Sequence, residues 1–135
     1  MFKFSQSSQD KLSLAHPLLQ KLFNEVIKTF DCTIVCSHRD REDQDKAFLS
    51  GNSKVKFPNS KHNSEPSFAV DVMPYPIDWS SSPKNIEKLT LFAGFVLGTA
   101  KQLGIEIRWG HDWDRDYQPD ERGLVDRPHY ELVLR

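Results

Sequence analysis

Hydrophobic residues recur at helical spacing in two parts of the chain. From Pro17 to Phe30 they stand three and four positions apart, at Leu19, Leu22, Phe23, Val26, Ile27 and Phe30. This spacing predicts a helix with one buried stripe. The segment from Ile86 to Leu103 has the same period over a wider face and ends at Gly104, a residue typical of helix C-termini. It predicts a core helix, and Ser8 to Leu14 predicts a short helical turn.

Four short apolar runs predict β-strands, because they are rich in β-branched and aromatic residues. They cover Cys32 to Cys36, Ala69 to Met73, Ile105 to Trp109 and Pro128 to Leu134. Asp40 is placed to cap a further helix from Arg41 to Ser50. Strands and helices of uneven spacing favour an α+β fold, with a small, largely antiparallel sheet and helices packed on one side. At 135 residues we expect a single domain, 1–135.

The overall charge narrows the range of partners. A net charge of -1 and a pI near 6.5 give no electrostatic reason to expect nucleic acid or an acidic membrane as partner. There is no apolar run near the roughly 18 residues of a membrane span, and the polar residues that follow Phe4 lead us to expect no signal peptide. We therefore expect a monomer that is made in the cytoplasm and does not insert into membranes.

The two cysteines, Cys32 and Cys36, lie in one predicted strand. In a regular strand both thiols point to the same face, about 13 Å apart, which is too far for a disulfide. We expect both to be reduced, buried and apolar in character. A metal role would need further thiols, and the chain has none.

Asp71 is the first residue that suggests chemistry. It alternates with Val70 and Val72 in a predicted strand, so its carboxylate lies on a face that is otherwise apolar. A buried carboxylate requires a cation or hydrogen-bond donors. A purely structural aspartate, held by an arginine or by backbone amides, is the alternative. His62 lies nine residues earlier, in a polar loop from Asn52 to Ser67.

A second short run adds another histidine and another aspartate to His62 and Asp71. Asp126 precedes His129 by three residues at the start of the last predicted strand. Two imidazole nitrogens and one carboxylate oxygen form the ligand set of a catalytic zinc site, and the second aspartate is then left as a candidate base. Arg39 lies between a strand end and a helix start, where it either contacts substrate or is a surface arginine paired with a nearby carboxylate.

These runs resemble the signatures of a known family. Ser60-Lys61-His62, Ala69-Val70-Asp71-Val72 and Asp126-Arg127-Pro128-His129 look like the Ser-x-His, Ala-x-Asp and Asp/Glu-x-x-His motifs of zinc D-alanyl-D-alanine carboxypeptidases and L-alanyl-D-glutamate endopeptidases, which have the Hedgehog/DD-peptidase fold. Small phage endolysins are the most similar branch.

The resemblance implies a role for each matching residue. His62, Asp71 and His129 would bind one Zn²⁺, Asp126 would be the general base, and Arg39 would bind substrate or the developing oxyanion. It further implies a peptidoglycan stem peptide as substrate, and an enzyme that reaches the wall from the host cytoplasm after release by another factor. Two alternatives stay open: a D-Ala-D-Ala carboxypeptidase, and a non-catalytic cell-wall-binding or virion module.

The chain departs from the family pattern between His62 and Asp71. The spacing is longer than in the usual motif, and the family's glycine is replaced within Asn63 to Phe68. We expect the extra residues to bulge without moving either ligand.

The remaining site candidates are less specific. Candidate substrate contacts are His111, Asp112, Trp113 and Tyr75, although the aromatic residues are equally typical of core packing. Glu131 shares a strand face with His129 and is a candidate to orient that imidazole. The segment from Asp112 to Asp126 is rich in acids, including Asp114, Asp116, Asp120 and Glu121, and reads as a surface loop or lid. It lacks the glycine and glutamate of an EF-hand calcium loop at their offsets.

Overall fold

The computed structural model describes residues 1–119 and 123–134. Its helices are α1 (Gln6–Leu12), α2 (Pro17–Val26), α3 (Arg41–Leu49) and α4 (Pro83–Leu103), with a 3-10 turn at Lys61–Asn63. Its strands are β1 (Cys32–Cys36), β2 (Ala69–Pro74), β3 (Ile107–Trp109) and β4 (His129–Leu132). Among these residues no helix combines the length and the apolar character needed to cross a membrane.

The strands form one antiparallel sheet in the order β1-β2-β4-β3. Its inner face packs on α2 and α4 through a single core cluster that includes Phe23, Val70, Val72, Phe92 and Tyr130. The predicted α+β fold with a small antiparallel sheet is therefore confirmed. Because side chains alternate along a strand, the neighbours of these core residues in β2 and β4 project from the opposite face of the sheet.

Several element ends differ from the predicted ones, for local reasons. β3 begins at Ile107 rather than Ile105, because the Ile105 amide donates to the Ala100 carbonyl at 2.9 Å and completes the end of α4. Gly104, with φ of +72°, makes this turn without the strain that a side chain would add. α2 ends at Val26, and the following four residues, predicted as helix, continue as turns.

Both cysteines are free, as predicted, but the predicted burial of Cys36 on the face of Cys32 was wrong, because β1 is not regular. The register between β1 and β2 shifts between Ile34, which pairs with Val72, and Cys36, which pairs with Asp71. Without the shift Cys36 would lie opposite Val70, on the core face. Cys32 is buried in the core cluster as predicted, whereas Cys36 is only partly buried and shares the face of Asp71.

Adjacent residues of α4 provide a test of the packing. Phe92 is 1% exposed in the core, and its neighbour Leu91 is 67% exposed. We expect Phe92→Ala to lower the free energy of unfolding by about 3–5 kcal/mol, because it leaves a cavity. Leu91→Ala should change it by no more than about 0.5 kcal/mol. Urea unfolding of both variants would measure this, and equal losses would contradict the assignment of the buried face.

Candidate metal centre

His62 is held in place by the turn that carries it. Ser60 begins the 3-10 turn and forms a capping box with Asn63, and the Arg39 amide donates to the His62 carbonyl at 2.8 Å. The ring is 2% exposed, and its Nδ1 lies 2.6 Å from the Ser37 carbonyl. A carbonyl oxygen can only accept, so Nδ1 carries the proton in the neutral ring. The lone pair of Nε2 is then left to face Asp71.

His129 reaches the same carboxylate from the neighbouring strand. It pairs with Asp71 directly across β2 and β4. Its Nε2 lies 2.8 Å from Glu131 Oε1, so this nitrogen donates, and Arg108 Nη1 lies 3.3 Å from Glu131 Oε2. Glu131 therefore contacts His129 as its strand position predicted, and the lone pair of His129 Nδ1 is directed at Asp71.

Both imidazoles thus approach the same carboxylate oxygen. Asp71 Oδ1 lies 3.3 Å from His62 Nε2 and 3.3 Å from His129 Nδ1. His62 Nε2 and Asp71 Oδ1 are both buried, and neither has a partner with hydrogen-bond geometry among the described residues. Donor atoms of a tetrahedral zinc site with bonds of about 2.0–2.1 Å lie about 3.3–3.4 Å apart. The donor types and these two separations fit zinc ligands. Potential ligand atoms within 4.8 Å of one another group His62 with Cys36 and Asp71, and His129 with Asp71 and Asp126.

The pKa values reflect the same need for positive charge. Burial lowers the pKa of His62, but the contact with Asp71 outweighs it and raises the pKa to about 10. Burial likewise lowers the pKa of His129, and Asp71 and Glu131 together raise it to about 9. Burial raises the pKa of Asp71, yet the two imidazoles hold it well below its ordinary value. A bound cation would replace the protons that these pairs otherwise retain.

Asp126 provides a second carboxylate beside Asp71 and His129. Its Oδ2 lies 4.0 Å from His129 Nδ1, and Asp71, Asp126 and His129 each have a potential ligand atom within 4.8 Å of the others. Burial and the nearby charge of Asp71 raise the pKa of Asp126. A carboxylate with a raised pKa is a better proton acceptor, as a general base requires.

Arg39 completes this cluster of charges. Its Nη2 lies 3.4 Å from Asp71 Oδ2, and its Nη1 lies 3.4 Å from Gln44 Oε1. Arg39, at the β1–α3 junction, therefore pairs with a nearby carboxylate, as one alternative had it, but both groups are largely buried rather than at the surface.

A cavity of about 270 Å³ opens over the cluster. Its lining includes Arg39, His62, Trp113, Asp126 and His129. The Trp113 ring stacks at a tilt on His129, with centroids 5.6 Å apart, and its Nε1 donates to the Leu124 carbonyl at 2.7 Å. The structure thus brings together all five predicted metal and catalytic residues and one of the four predicted substrate contacts.

The other three predicted substrate contacts do not line this cavity. Tyr75 follows the last paired residue of β2 and is 59% exposed. His111 packs edge-on against Trp109, with ring centroids 5.4 Å apart. Asp112 is buried and accepts from the backbone amides of Asp116 and Tyr117 at 3.2 and 2.9 Å, so it shapes a turn.

Comparison with known proteins identifies the family. A model of the phage L-alanyl-D-glutamate peptidase family matches residues 1–133. The L-alanyl-D-glutamate peptidase of Escherichia phage T5 is 33% identical over 141 residues, covering 98% of each chain. This chain belongs to the phage L-alanyl-D-glutamate peptidase family. The crystal structure of the Serratia marcescens L-Ala D-Glu endopeptidase ChiX has the same fold, with a TM-score of 0.73 at 22% identity, over 97% of this chain and 90% of that one.

The long His62–Asp71 loop of this family member is anchored at both ends. The Phe68 amide donates to the Lys61 carbonyl at 2.9 Å, and Ser67 exchanges backbone hydrogen bonds with the segment just before α2. Glu65 and Pro66 bulge into solvent between these anchors. The extra residues therefore leave His62 facing Asp71, as expected.

Two residues near the centre were missed from the sequence. Cys36 Sγ lies 3.8 Å from His62 Nδ1, and only the register shift in β1 brings it there. Gln44 is fully buried in α3 and joins Arg39 to Asn63, whose Nδ2 donates to Gln44 Oε1 at 3.2 Å. The pattern Ser60-x-x-Asn63 was a usable signal for a capped turn. No comparable signal marked Cys36.

The acidic segment of this peptidase is partly described. Asp112, Asp114 and Asp116 bring carboxylate oxygens within 4.8 Å of one another. Asp120 and Glu121, which were assigned to the same loop, lie outside the described residues.

Gly110 links Asp126 to His129 through its backbone, and this link can be tested. Its carbonyl accepts from the Asp126 amide at 2.7 Å, and its amide donates to the His129 carbonyl at 2.8 Å. A Cβ at this position would collide with the Asp126 carbonyl oxygen. We expect Gly110→Ala to lower the free energy of unfolding by about 1–3 kcal/mol in thermal or urea unfolding.

Gly98 is the matched control, since a Cβ added there meets nothing within 4 Å. Gly98→Ala in α4 should raise stability by about 0.5–1 kcal/mol. A Gly110→Ala variant as stable as its parent would show that the close approach of these two segments is not required.

Proposed function

We propose that this chain is a zinc-dependent endopeptidase that hydrolyses the L-alanyl-D-glutamate bond in the stem peptides of bacterial peptidoglycan. The observation that carries the proposal is the convergence of two imidazole lone pairs on Asp71 Oδ1, at 3.3 Å each, beside a separate carboxylate. Membership of the phage L-alanyl-D-glutamate peptidase family supports the substrate.

We assign His62, Asp71 and His129 as the zinc ligands. Cys36 is a competing donor, because it has a potential ligand atom within 4.8 Å of those of His62 and Asp71. Its sulfur, however, contacts Nδ1 of His62, the nitrogen that already donates to Ser37. His129 instead directs a free lone pair at the shared Asp71 oxygen, so we prefer it as the third ligand.

Asp126 has the position and the charge of a general base. Zinc, when bound, would polarise the scissile carbonyl and lower the pKa of a coordinated water. Asp126 borders the same cavity and would take a proton from the attacking water and deliver it to the leaving amine.

Arg39 would act on the substrate carbonyl from the same cavity. Its guanidinium is held between Asp71 and Gln44, which leaves its remaining N–H donors available for the carbonyl oxygen as negative charge develops.

Three expectations about the whole protein stay predictions. We infer that 1–135 is a single peptidase domain and that the protein acts as a monomer. We also infer that it reaches the wall from the host cytoplasm when another factor releases it.

Zinc dependence can be tested by removing one ligand. His129→Ala should lose bound zinc and at least about 100-fold in the rate of digestion of purified peptidoglycan, because the ligand and its Glu131 contact are both lost. A chelator should stop the parent enzyme, and added zinc should restore it. His16→Asn, which changes a histidine outside the cavity and retains a side-chain cap for α2, is the control.

Mass spectrometry of the digested wall distinguishes the competing activities. New amine ends on D-glutamate are the expected product. Release of terminal D-alanine would support the carboxypeptidase alternative, and binding without new amine ends would support a non-catalytic module.

Replacing the proposed base should affect zinc binding and activity differently from replacing a proposed ligand. Asp126→Asn should keep one zinc per chain and the parent's thermal stability, but lose about 10²–10⁴-fold in kcat, because the amide cannot accept the proton. Asp126→Glu should recover part of that loss. If Asp126→Asn lost its zinc instead, Asp126 would be a ligand and the assignment would be wrong.

A further inference from the structure

Two lysines border the cavity that holds the proposed ligands and base. Lys54 and Lys61 are exposed, and both line the cavity together with His62, Asp126 and His129. Neither has an ion-pair partner among the described residues. Their ammonium groups are therefore available to a ligand.

The other charged residues that line the cavity are Arg39, Asp126 and Glu131. Arg39 contacts Asp71, and Glu131 is held by His129 at 2.8 Å and by Arg108 at 3.3 Å. Lys61 adds a weaker contribution, behind His129 and Arg108, to the lowered pKa of Glu131. Asp126 is the base. Because Arg39 is assigned to the scissile carbonyl, the positive charge left for a second anionic group of the substrate comes from the two lysines.

The backbone that carries Lys54 is built into the fold. The buried Gln44 side chain donates to Ser53 Oγ and to the Val55 carbonyl, at 2.8 Å each, on either side of Lys54. The Ser53 amide also donates to the Ala47 carbonyl of α3 at 3.0 Å. Because Gln44 contacts Arg39 as well, one buried side chain sets the position of this loop relative to the site.

The backbone of Lys61 is held by a different set of contacts. It is the first residue of the 3-10 turn that carries His62, and the Ser60–Asn63 capping box holds that turn. The Lys61 carbonyl also accepts from the Phe68 amide at 2.9 Å. Lys61 is thus adjacent in sequence to a proposed zinc ligand and lines the same cavity.

We propose that Lys54 and Lys61 bind the free carboxylate of the D-glutamate residue beside the scissile bond, so that the enzyme selects D-glutamate over its carboxamide form. This inference rests on the proposed function and identifies two residues of the same site that determine substrate specificity. A carboxylate accepts charge-assisted hydrogen bonds from both ammonium groups, whereas a neutral carboxamide loses the Coulomb attraction.

The test compares two synthetic peptides that contain L-alanyl-D-glutamate. They differ only in whether the D-glutamate carboxyl group outside the peptide chain is free or amidated. An exposed ion pair contributes up to about fivefold in affinity, so the parent enzyme should have a kcat/KM about five- to twentyfold higher for the free acid. The difference should shrink as ionic strength rises.

Lys54→Met, Lys61→Met and the double variant should reduce this preference stepwise, toward equal cleavage in the double variant. The effect should be a higher KM for the free acid with unchanged kcat, since the lost contact binds substrate and transition state alike. Lys56→Met is the matched control: Lys56 belongs to the same loop but lies over the Phe48 ring and does not line the cavity. It should keep the parent preference.

The outcomes separate this inference from the proposed function. Equal cleavage of both peptides by the parent enzyme would overturn the carboxylate subsite and leave the peptidase activity intact. An undiminished preference in the double variant would overturn the assignment to these lysines. Cleavage of neither peptide, by zinc-loaded enzyme, would overturn both the proposed function and the inference that rests on it.

Discussion

The site depends on a single buried carboxylate. Asp71 is buried in β2, one of the two middle strands of the sheet, where an unpaired negative charge would be strongly unfavourable. The protein surrounds it with two imidazoles and one guanidinium, at 3.3, 3.3 and 3.4 Å. Each imidazole has its far nitrogen engaged by an acceptor, so each turns its lone pair inward. These are the properties of ligands oriented for a cation.

The same backbone pairing brings the proposed ligands and the proposed base together. Antiparallel registration sets His129 opposite Asp71, and β4 begins immediately after the segment that carries Asp126. Gly110 then ties this segment to the end of β3 through two backbone hydrogen bonds. A shift of one residue between β2 and β4 would move His129 to the core face and separate it from Asp71. Fold stability and site geometry are therefore coupled through one pair of strands.

The sequence predicted the parts of this structure that depend on periodicity. The buried stripes of α2 and α4 and the alternation around Asp71 are such parts. Each follows from the order of residues within one segment of the chain. The departure at Cys36 has a different origin, since a register shift is a property of two strands and leaves no periodic trace in either. Gln44 was missed for a related reason. Its burial depends on partners distant in the chain, such as Val55 and Asn63, rather than on the pattern of α3.

The charges of this protein show why the overall balance says little about the site. A net charge of -1 argued against polyanionic partners, and that argument concerns long-range attraction. Within the cavity the balance is set by which groups are already paired. Glu131 is held by His129 and Arg108, so its negative charge is neutralised locally. The positive charges of Lys54 and Lys61 have no ion-pair partner among the described residues, and both lysines line the cavity. A nearly neutral chain can therefore offer two unpaired lysines to a small acidic residue, because recognition at a few ångströms depends on which nearby charges are already in ion pairs.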